Sequence, residues 1–248
     1  MQCDIFLFLC SFNKTVKIKM KSVQSQTNNP VIKKRSAAFE IFLFLLIVSF
    51  GALSILAKQY PYFGFDLLIT NQIQLLPTKF IGESLEFITW LGYFMPGVLL
   101  TAILALMLWL VKKKADALVL LISTTGAVVL SGIFKFIIDR PRPDPLLVNQ
   151  LSPFQTTASF PSGHVLFFVG LLGYLLYLSH IFIKPGIKRI FSQFFLGSLI
   201  LLMGVSRIYV GAHWFSDTLG AYLIGLVWLL VIIRFRLRII DFFFKKSE

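Results

Sequence analysis

The sequence predicts an all-α integral membrane protein, a bundle of six transmembrane helices with short interfacial helices between the first and second spans. Three observations carry this. Of 248 residues, 57% are hydrophobic and 14% charged, against about 25% charged in a soluble domain, and mean hydropathy is +0.82. Six apolar runs approach the length that crosses a bilayer, about 20 residues. Lys and Arg collect in alternate connections between these runs, the pattern left by threading through a membrane.

Residues 1–35 are expected to form a basic cytoplasmic segment. Ile5–Cys10 is apolar but too short to span, and it lacks the basic start and small-residue cleavage site of a signal peptide. Lys14, Lys17, Lys19, Lys21, Lys33, Lys34 and Arg35 make the remainder basic, and Ser22–Pro30 reads as flexible polar chain. The apolar runs follow at Phe39–Ala57, Phe94–Val111, Ala117–Ile138, His164–Ile183, Ile190–Tyr209 and Thr218–Ile233. Between the first two, Asp66–Leu76 and Thr78–Leu91 carry apolar residues at helical spacing and are separated by Pro77, which cannot continue a helix. They read as amphipathic helices lying at the interface. Residues 36–238 make one six-span domain without internal repeats. Residues 239–248 make a cytoplasmic tail, in which Phe242–Phe244 beside Lys245 and Lys246 suit an interfacial anchor. Cys3 and Cys10, the only cysteines, precede the first run, so neither a structural disulfide nor a cysteine metal site is expected.

A net charge of +13 raises nucleic acid as a partner; the positions of the charges argue against it. Besides the N-terminal group, Lys112, Lys113 and Lys114 follow the second run, Lys184, Lys188 and Arg189 the fourth, and Arg234, Arg236, Arg238, Lys245 and Lys246 the sixth. Both termini and these connections are therefore expected in the cytoplasm, against anionic lipid. The opposite face, toward the periplasm or exterior, receives a different set. Lys135 stands near the end of the third run and Asp139-Arg140-Pro141-Arg142-Pro143-Asp144 follows it. Pro161-Ser162-Gly163-His164 opens the fourth, Arg207 ends the fifth, and His213 and Asp217 open the sixth.

Ionisable residues at membrane depth are expensive and mark function. His213 and Asp217 are four apart, which on a helix places them one turn apart on one face. The carboxylate can then accept one imidazole N–H, fixing the tautomer and leaving the other nitrogen basic. Lys135, Arg142 and Arg207 offer three positive charges and many donors to the oxygens of a phosphate ester. Ser162 and Gly163 would present backbone N–H groups at a helix start, where the dipole also favours an anion. In this reading His213 attacks phosphorus in line and His164 protonates the leaving oxygen. No carboxylate cluster offers a Mg²⁺ site, and two histidines with opposed tasks do not make a zinc site, so neither metal nor cofactor is expected. His180, without a partner in view, reads as structural. Asp139, Arg140 and Asp144 are either loop charges or supports for the site, and Pro141 and Pro143 stiffen the turn. Trp90, Tyr93, Tyr209 and Trp214 suit an aromatic belt at the outer interface.

Lys135-x6-Arg142-Pro143, Pro161-Ser162-Gly163-His164 and Ser206-Arg207-x5-His213-x3-Asp217 resemble the three signatures of the type-2 phosphatidic acid phosphatase and vanadium haloperoxidase superfamily, with every signature position matched. The resemblance implies that His213 is the nucleophile and forms a phosphohistidine. It implies that Asp217 orients His213, that His164 is the general acid, and that Lys135, Arg142, Ser162, Gly163 and Arg207 hold the phosphate. The apolar runs favour the membrane branch over the soluble, vanadate-bound haloperoxidases. The expectation is a metal-independent lipid phosphatase whose partners are the bilayer and a lipid phosphate. Undecaprenyl pyrophosphate, phosphatidic acid and phosphatidylglycerol phosphate are the candidate substrates. A lipid phosphotransferase and a non-catalytic binder or transporter of lipid phosphates are the alternatives.

Overall fold

The computed structural model describes residues 30–153 and 155–244, with the side chains of 37–153 and 155–243. The expected N-terminal basic segment up to residue 29, and Lys245 and Lys246, lie outside the described residues. The described chain is helical: α1 Pro30–Gln59, α2 Gly64–Gln74, α3 Glu83–Leu91, α4 Phe94–Leu110, α5 Lys114–Ile138, α6 Gly163–Phe182, α7 Ile187–Tyr209 and α8 Phe215–Phe244. By contacts the described chain divides within α1, between Leu45 and Leu46. The expected segment boundaries at 35/36 and 238/239 fall inside α1 and α8.

Length and composition qualify α1 (over Ala37–Gln59), α5, α6 and α7 to cross a membrane. The second expected span is not a plain rod: the Thr78–Leu91 segment and α4 meet at a 73° bend, as in a broken span or a re-entrant loop. The kinked turn over Thr78–Gly82, where Phe80 takes φ 65, separates α2 from α3, so the break foreseen at Pro77 is present. The sixth apolar run lies within the thirty-residue α8.

Burial is inverted relative to a water-soluble protein. Large apolar side chains such as Leu110, Phe136 and Phe194 are exposed, as contact with lipid demands, whereas Asp66, Arg140, Arg207 and Asp217 are buried. α6 is the centre, packed against α5, α7 and α8. Close approach of α5 and α6 depends on Gly170: a Cβ there would lie 2.9 Å from the Ser123 carbonyl oxygen. Ser123 Oγ instead donates to the Gly170 carbonyl at 2.8 Å, and Trp228 Nε1 of α8 donates to the Ser123 carbonyl at 2.8 Å. Small residues with short polar side chains thus bring the helix backbones together. At the other end of these helices Asp116 accepts from Tyr174 Oη at 2.9 Å and pairs with Arg236 at 2.6 Å.

Two of the four aromatic residues expected at the interface are core residues. Tyr209 and Trp214 are almost fully buried. Trp214 meets the Tyr62 ring at a tilt, with centroids 5.2 Å apart, and the Tyr209 hydroxyl lies where a Cβ on Gly82 would fall. Trp90 is half exposed, and the Tyr93 ring meets His164 edge-on at 5.2 Å. Aromatic residues near a span end fit a belt by sequence; packing of α2 and the turn before α3 against the end of α7 buries these two.

Candidate active site

Three local structures bring the chemistry together. The first is the end of α5. Lys135 lies in its last turn, and Asp139 closes the helix in the left-handed region (φ 49), its N–H donating to the Lys135 carbonyl at 3.0 Å. Asp tolerates that conformation better than most residues, and Pro141 then prevents helix from resuming. The second is the start of α6, where Ser162 is the N-cap. The third is the turn from α7 into α8. Gly211 has φ 69, and a Cβ there would meet the Asn149 carbonyl oxygen at 2.3 Å, so only glycine fits. The turn caps α7: the N–H groups of Ala212 and His213 donate to the Arg207 carbonyl at 3.1 and 3.3 Å.

His213 and Asp217 face each other as expected, by a different route. His213 is not on a helix; α8 begins at Phe215. Asp217 sits in the first helical turn and accepts from the Trp214 backbone N–H at 2.9 Å, as an acidic residue at the third helical position does in a capping box. The same oxygen faces His213 Nδ1 at 3.4 Å, longer than a formed hydrogen bond. The opposite nitrogen, Nε2, lies 3.4 Å from Arg142 Nη1. Burial pushes the His213 imidazole well below its ordinary 6.5, and the charges of Arg142, Arg207 and Lys135 push it further. The ring is therefore neutral near pH 7, as a nucleophile must be.

The cations are held in three different ways. Lys135 Nζ donates to the Ala158 carbonyl. Arg142 donates through Nε to the Thr157 carbonyl at 2.7 Å, through Nη1 to the Ala212 carbonyl at 2.8 Å and through Nη2 to Thr157 Oγ1 at 3.0 Å. Burial holds its guanidinium below the usual range, with Asp217 opposing. Arg207 is fully buried, and none of its three nitrogens reaches hydrogen-bond geometry with a described residue. Its Cζ lies 6.0 Å from the centroid of the Tyr93 ring.

Of the two expected backbone donors, one is otherwise engaged. The Ser162 N–H donates to the Asp217 carbonyl at 3.1 Å, tying the start of α6 to the start of α8. The N–H groups of Gly163 and His164 remain in the first turn without intrahelical acceptors. Gly163 adjoins α5: a Cβ on it would lie 3.1 Å from Ser131 Oγ and 3.9 Å from Lys135 Cε. Ser162 Oγ and His164 Nε2 are buried without a hydrogen-bond partner among the described residues. His164 lies within electrostatic reach of Arg207, His213, Lys135 and Arg142. All eight side chains and backbone positions expected at the site thus converge. His180 stays apart near the end of α6, beside Gln193 at 3.4 Å.

Arg140, readable from sequence as either a loop charge or a support for the site, is buried against Asp217; Asp66, Ser216, Tyr93 and the Thr157–Ser159 loop are not legible as site residues. Arg140 holds one of the unspecified positions between Lys135 and Arg142 of the first signature, and Asp66 precedes the signatures by nearly seventy residues. Two cavities adjoin the cluster. One, of about 570 Å³, is lined by Arg142, Thr157, Ala158 and Ala212 among polar loop residues. The other, of about 460 Å³, is mainly apolar and lined by Tyr93, Val98, Val128, Gly163 and Phe167. Among the described residues no three His, Cys, Asp or Glu side chains are placed to share a metal ion.

The family model described as the PAP2 superfamily matches residues 116–241. The chain is 28% identical over 192 residues to phosphatidylglycerophosphatase B of Bacillus subtilis (strain 168), covering 75% of this chain and 88% of that protein. Among solved structures it resembles the crystal structure of the first transmembrane PAP2 type phosphatidylglycerolphosphate phosphatase from Bacillus subtilis. The TM-score is 0.59 at 24% identity, over 81% of this chain and 98% of that one. The crystal structure of Aquifex aeolicus LpxE gives a TM-score of 0.50 at 23% identity, over 69% of this chain and 96% of that one.

Proposed function

The chain belongs to the PAP2 superfamily, and from that premise we propose that it is a multi-pass membrane phosphatase that hydrolyses lipid phosphates through a phosphohistidine on His213. The observation that carries the reading is Arg207, a buried guanidinium with no ion pair to a described residue and the Tyr93 side chain as its polar neighbour. An unpaired buried charge costs several kcal/mol; beside Lys135 and Arg142 it is matched by a group with up to two negative charges and several acceptor oxygens. The unpartnered Ser162 Oγ and His164 Nε2 lie in the same cluster.

The reaction follows from the placement. His213 Nε2, neutral and directed toward Arg142, attacks phosphorus while the bond to the lipid oxygen breaks. His164 delivers the proton that the leaving oxygen takes up. The imidazolium that results keeps Nδ1–H toward Asp217. Water then attacks phosphorus, its proton goes to His164, the P–N bond breaks and inorganic phosphate departs. Lys135, Arg142, Arg207 and the first-turn N–H groups of α6 stabilise charge on the equatorial oxygens. The polar cavity beside Arg142 suits a headgroup and the apolar one beside Gly163 a lipid chain. Phosphatidylglycerol phosphate is the first substrate to test, because the Bacillus subtilis relative is a phosphatidylglycerophosphatase by name. Phosphatidic acid and undecaprenyl pyrophosphate follow. The six-span topology, with both termini cytoplasmic and the site facing the periplasm or exterior, rests on the Lys and Arg distribution.

The test is phosphate release from these lipids by purified protein, in excess EDTA and with vanadate. Wild type should turn over at least one, persist in EDTA and be inhibited by vanadate; His213→Ala should be folded and inactive. Full activity of His213→Ala, or loss in EDTA restored by Mg²⁺, would overturn the mechanism. Phosphorylated acceptor in place of free phosphate would make the protein a phosphotransferase.

A further inference from the structure

Arg140 joins a buried polar network that ties the signature residue Asp217 to Ser216 and Asp66. Its Nη1 donates to Asp217 Oδ1 at 2.6 Å and to Ser216 Oγ at 2.7 Å, its Nη2 to Asp66 Oδ2 at 3.1 Å and its Nε to the Tyr60 carbonyl at 3.3 Å. The guanidinium lies 5.1 Å from the centre of the Phe63 ring. Asp66, near the start of α2, accepts in turn from the Ser216 N–H at 2.8 Å, Ser216 Oγ at 2.7 Å and the Phe63 N–H at 3.1 Å. Arg140, Asp66, Ser216 and Asp217 are all buried. Asp217 thus has one oxygen gripped by Arg140, while the other receives the Trp214 N–H and faces His213 Nδ1.

The register of Arg140-Pro141-Arg142 gives this network its meaning. The segment is not helical, and side chains two apart share a face only in fully extended chain; here the two arginines address opposite nitrogens of one imidazole. Arg142 Nη1 lies 3.4 Å from Nε2, and Arg140 reaches the Nδ1 side through Asp217. We propose that Arg140, anchored by Asp66 and Ser216, is a positioning residue that fixes the Asp217 carboxylate and through it the tautomer and orientation of His213. The proposal rests on the phosphatase reading for its kinetic consequence, and on geometry alone for its structural one. With Arg140 on one oxygen and the Trp214 N–H on the other, the carboxylate has a single orientation; without Arg140 it loses the shorter of these two contacts and can swing about the other. Asp66 extends the same constraint to α2.

The experiment compares Arg140→Gln, Arg140→Lys and Asp66→Asn in the wild-type and Asp217→Asn backgrounds, as full-length protein in nanodiscs. A short-chain phosphatidylglycerol phosphate is the kinetic probe, and ¹⁵N-histidine NMR reads the His213 tautomer. Arg140→Gln should lower kcat by about 10- to 100-fold, the range for residues that orient a ligating or catalytic group, with KM changed by less than about threefold. Arg140→Lys should restore part of the loss. In the Asp217→Asn background Arg140→Gln should cost less than about threefold more, because residues acting as a unit are not additive. The NMR signals should show Nδ1 protonated in wild type and a mixed tautomer in Arg140→Gln. Equal losses in both backgrounds, or an unchanged tautomer, would overturn the proposal. Should Arg140→Gln fail to fold, Arg140→Lys and Asp66→Asn supply the same comparison. Should wild type hydrolyse no lipid in the panel, the phosphatase reading fails and the tautomer comparison still decides the proposal.

Discussion

Arg207→Met should make the protein more stable and less active. Arg207 is fully buried and its nitrogens find no hydrogen-bond geometry with described residues. The desolvation penalty for a buried ion is several kcal/mol, and the aromatic contact with Tyr93 returns about 0.5–2 kcal/mol. Methionine keeps the length and apolar stem while removing the charge and its contact with Tyr93, so a net gain of about 1–4 kcal/mol is expected, the range found when buried ion pairs give way to apolar groups. At about 2–4 °C per kcal/mol in a chain of this size, the unfolding temperature in micelles should rise by several degrees. Turnover should fall by about 100- to 1,000-fold, as for loss of one donor to a developing anion. Vanadate sharpens the test. At a hundred times its Kd it should stabilise wild type by about 2.7 kcal/mol and Arg207→Met far less. A variant that is destabilised yet turns over at the wild-type rate would show that Arg207 is structural, and the central observation behind the proposed function would be lost.

Gly211→Ala should cost about 1–3 kcal/mol for the left-handed conformation alone, and more for the 2.3 Å approach to the Asn149 carbonyl. Thermal unfolding compared with Gly51→Ala, where a Cβ meets nothing within 4 Å, checks this; equal effects would refute it. Because burial holds the His213 pKa below 6.5, the unfolded chain takes up a proton that the folded one refuses. Wild type should therefore lose stability relative to His213→Gln as pH falls below about 6.5 toward the folded-state pKa, and a gap unchanged between about pH 7 and 5 would contradict the burial argument. For topology, single cysteines at Asn149 and Ser247, with Cys3 and Cys10 replaced, should be labelled and spared respectively by an impermeant maleimide in intact cells. The reverse pattern inverts the orientation.

The sequence by itself determined the helical class, the places where helices run and the set of polar residues that the fold gathers. Spans are long and apolar because backbone groups in lipid must be satisfied within the element, so composition and length locate each helix, while the helix ends at Pro30 and Phe244 lie well beyond the apolar runs. Lys135, Arg142, His164, Arg207, His213 and Asp217 stand out because ionisable groups are costly beside such runs, and their spacing matches the family signatures. Tertiary structure decided how they meet. The His213–Asp217 pairing comes from a helix cap and a turn that only Gly211 permits, not from a helix face. Ser162 spends its N–H on Asp217, and Tyr209 and Trp214 are core residues, not interfacial ones. Arg140 and Asp66 carry no periodic or spacing signal, since a buried ion pair between a loop and a distant helix is specified by three-dimensional proximity alone. Local rules set each segment's conformation; the docking of α2 onto the start of α8, a contact across about 150 residues of chain, sets which charges face each other.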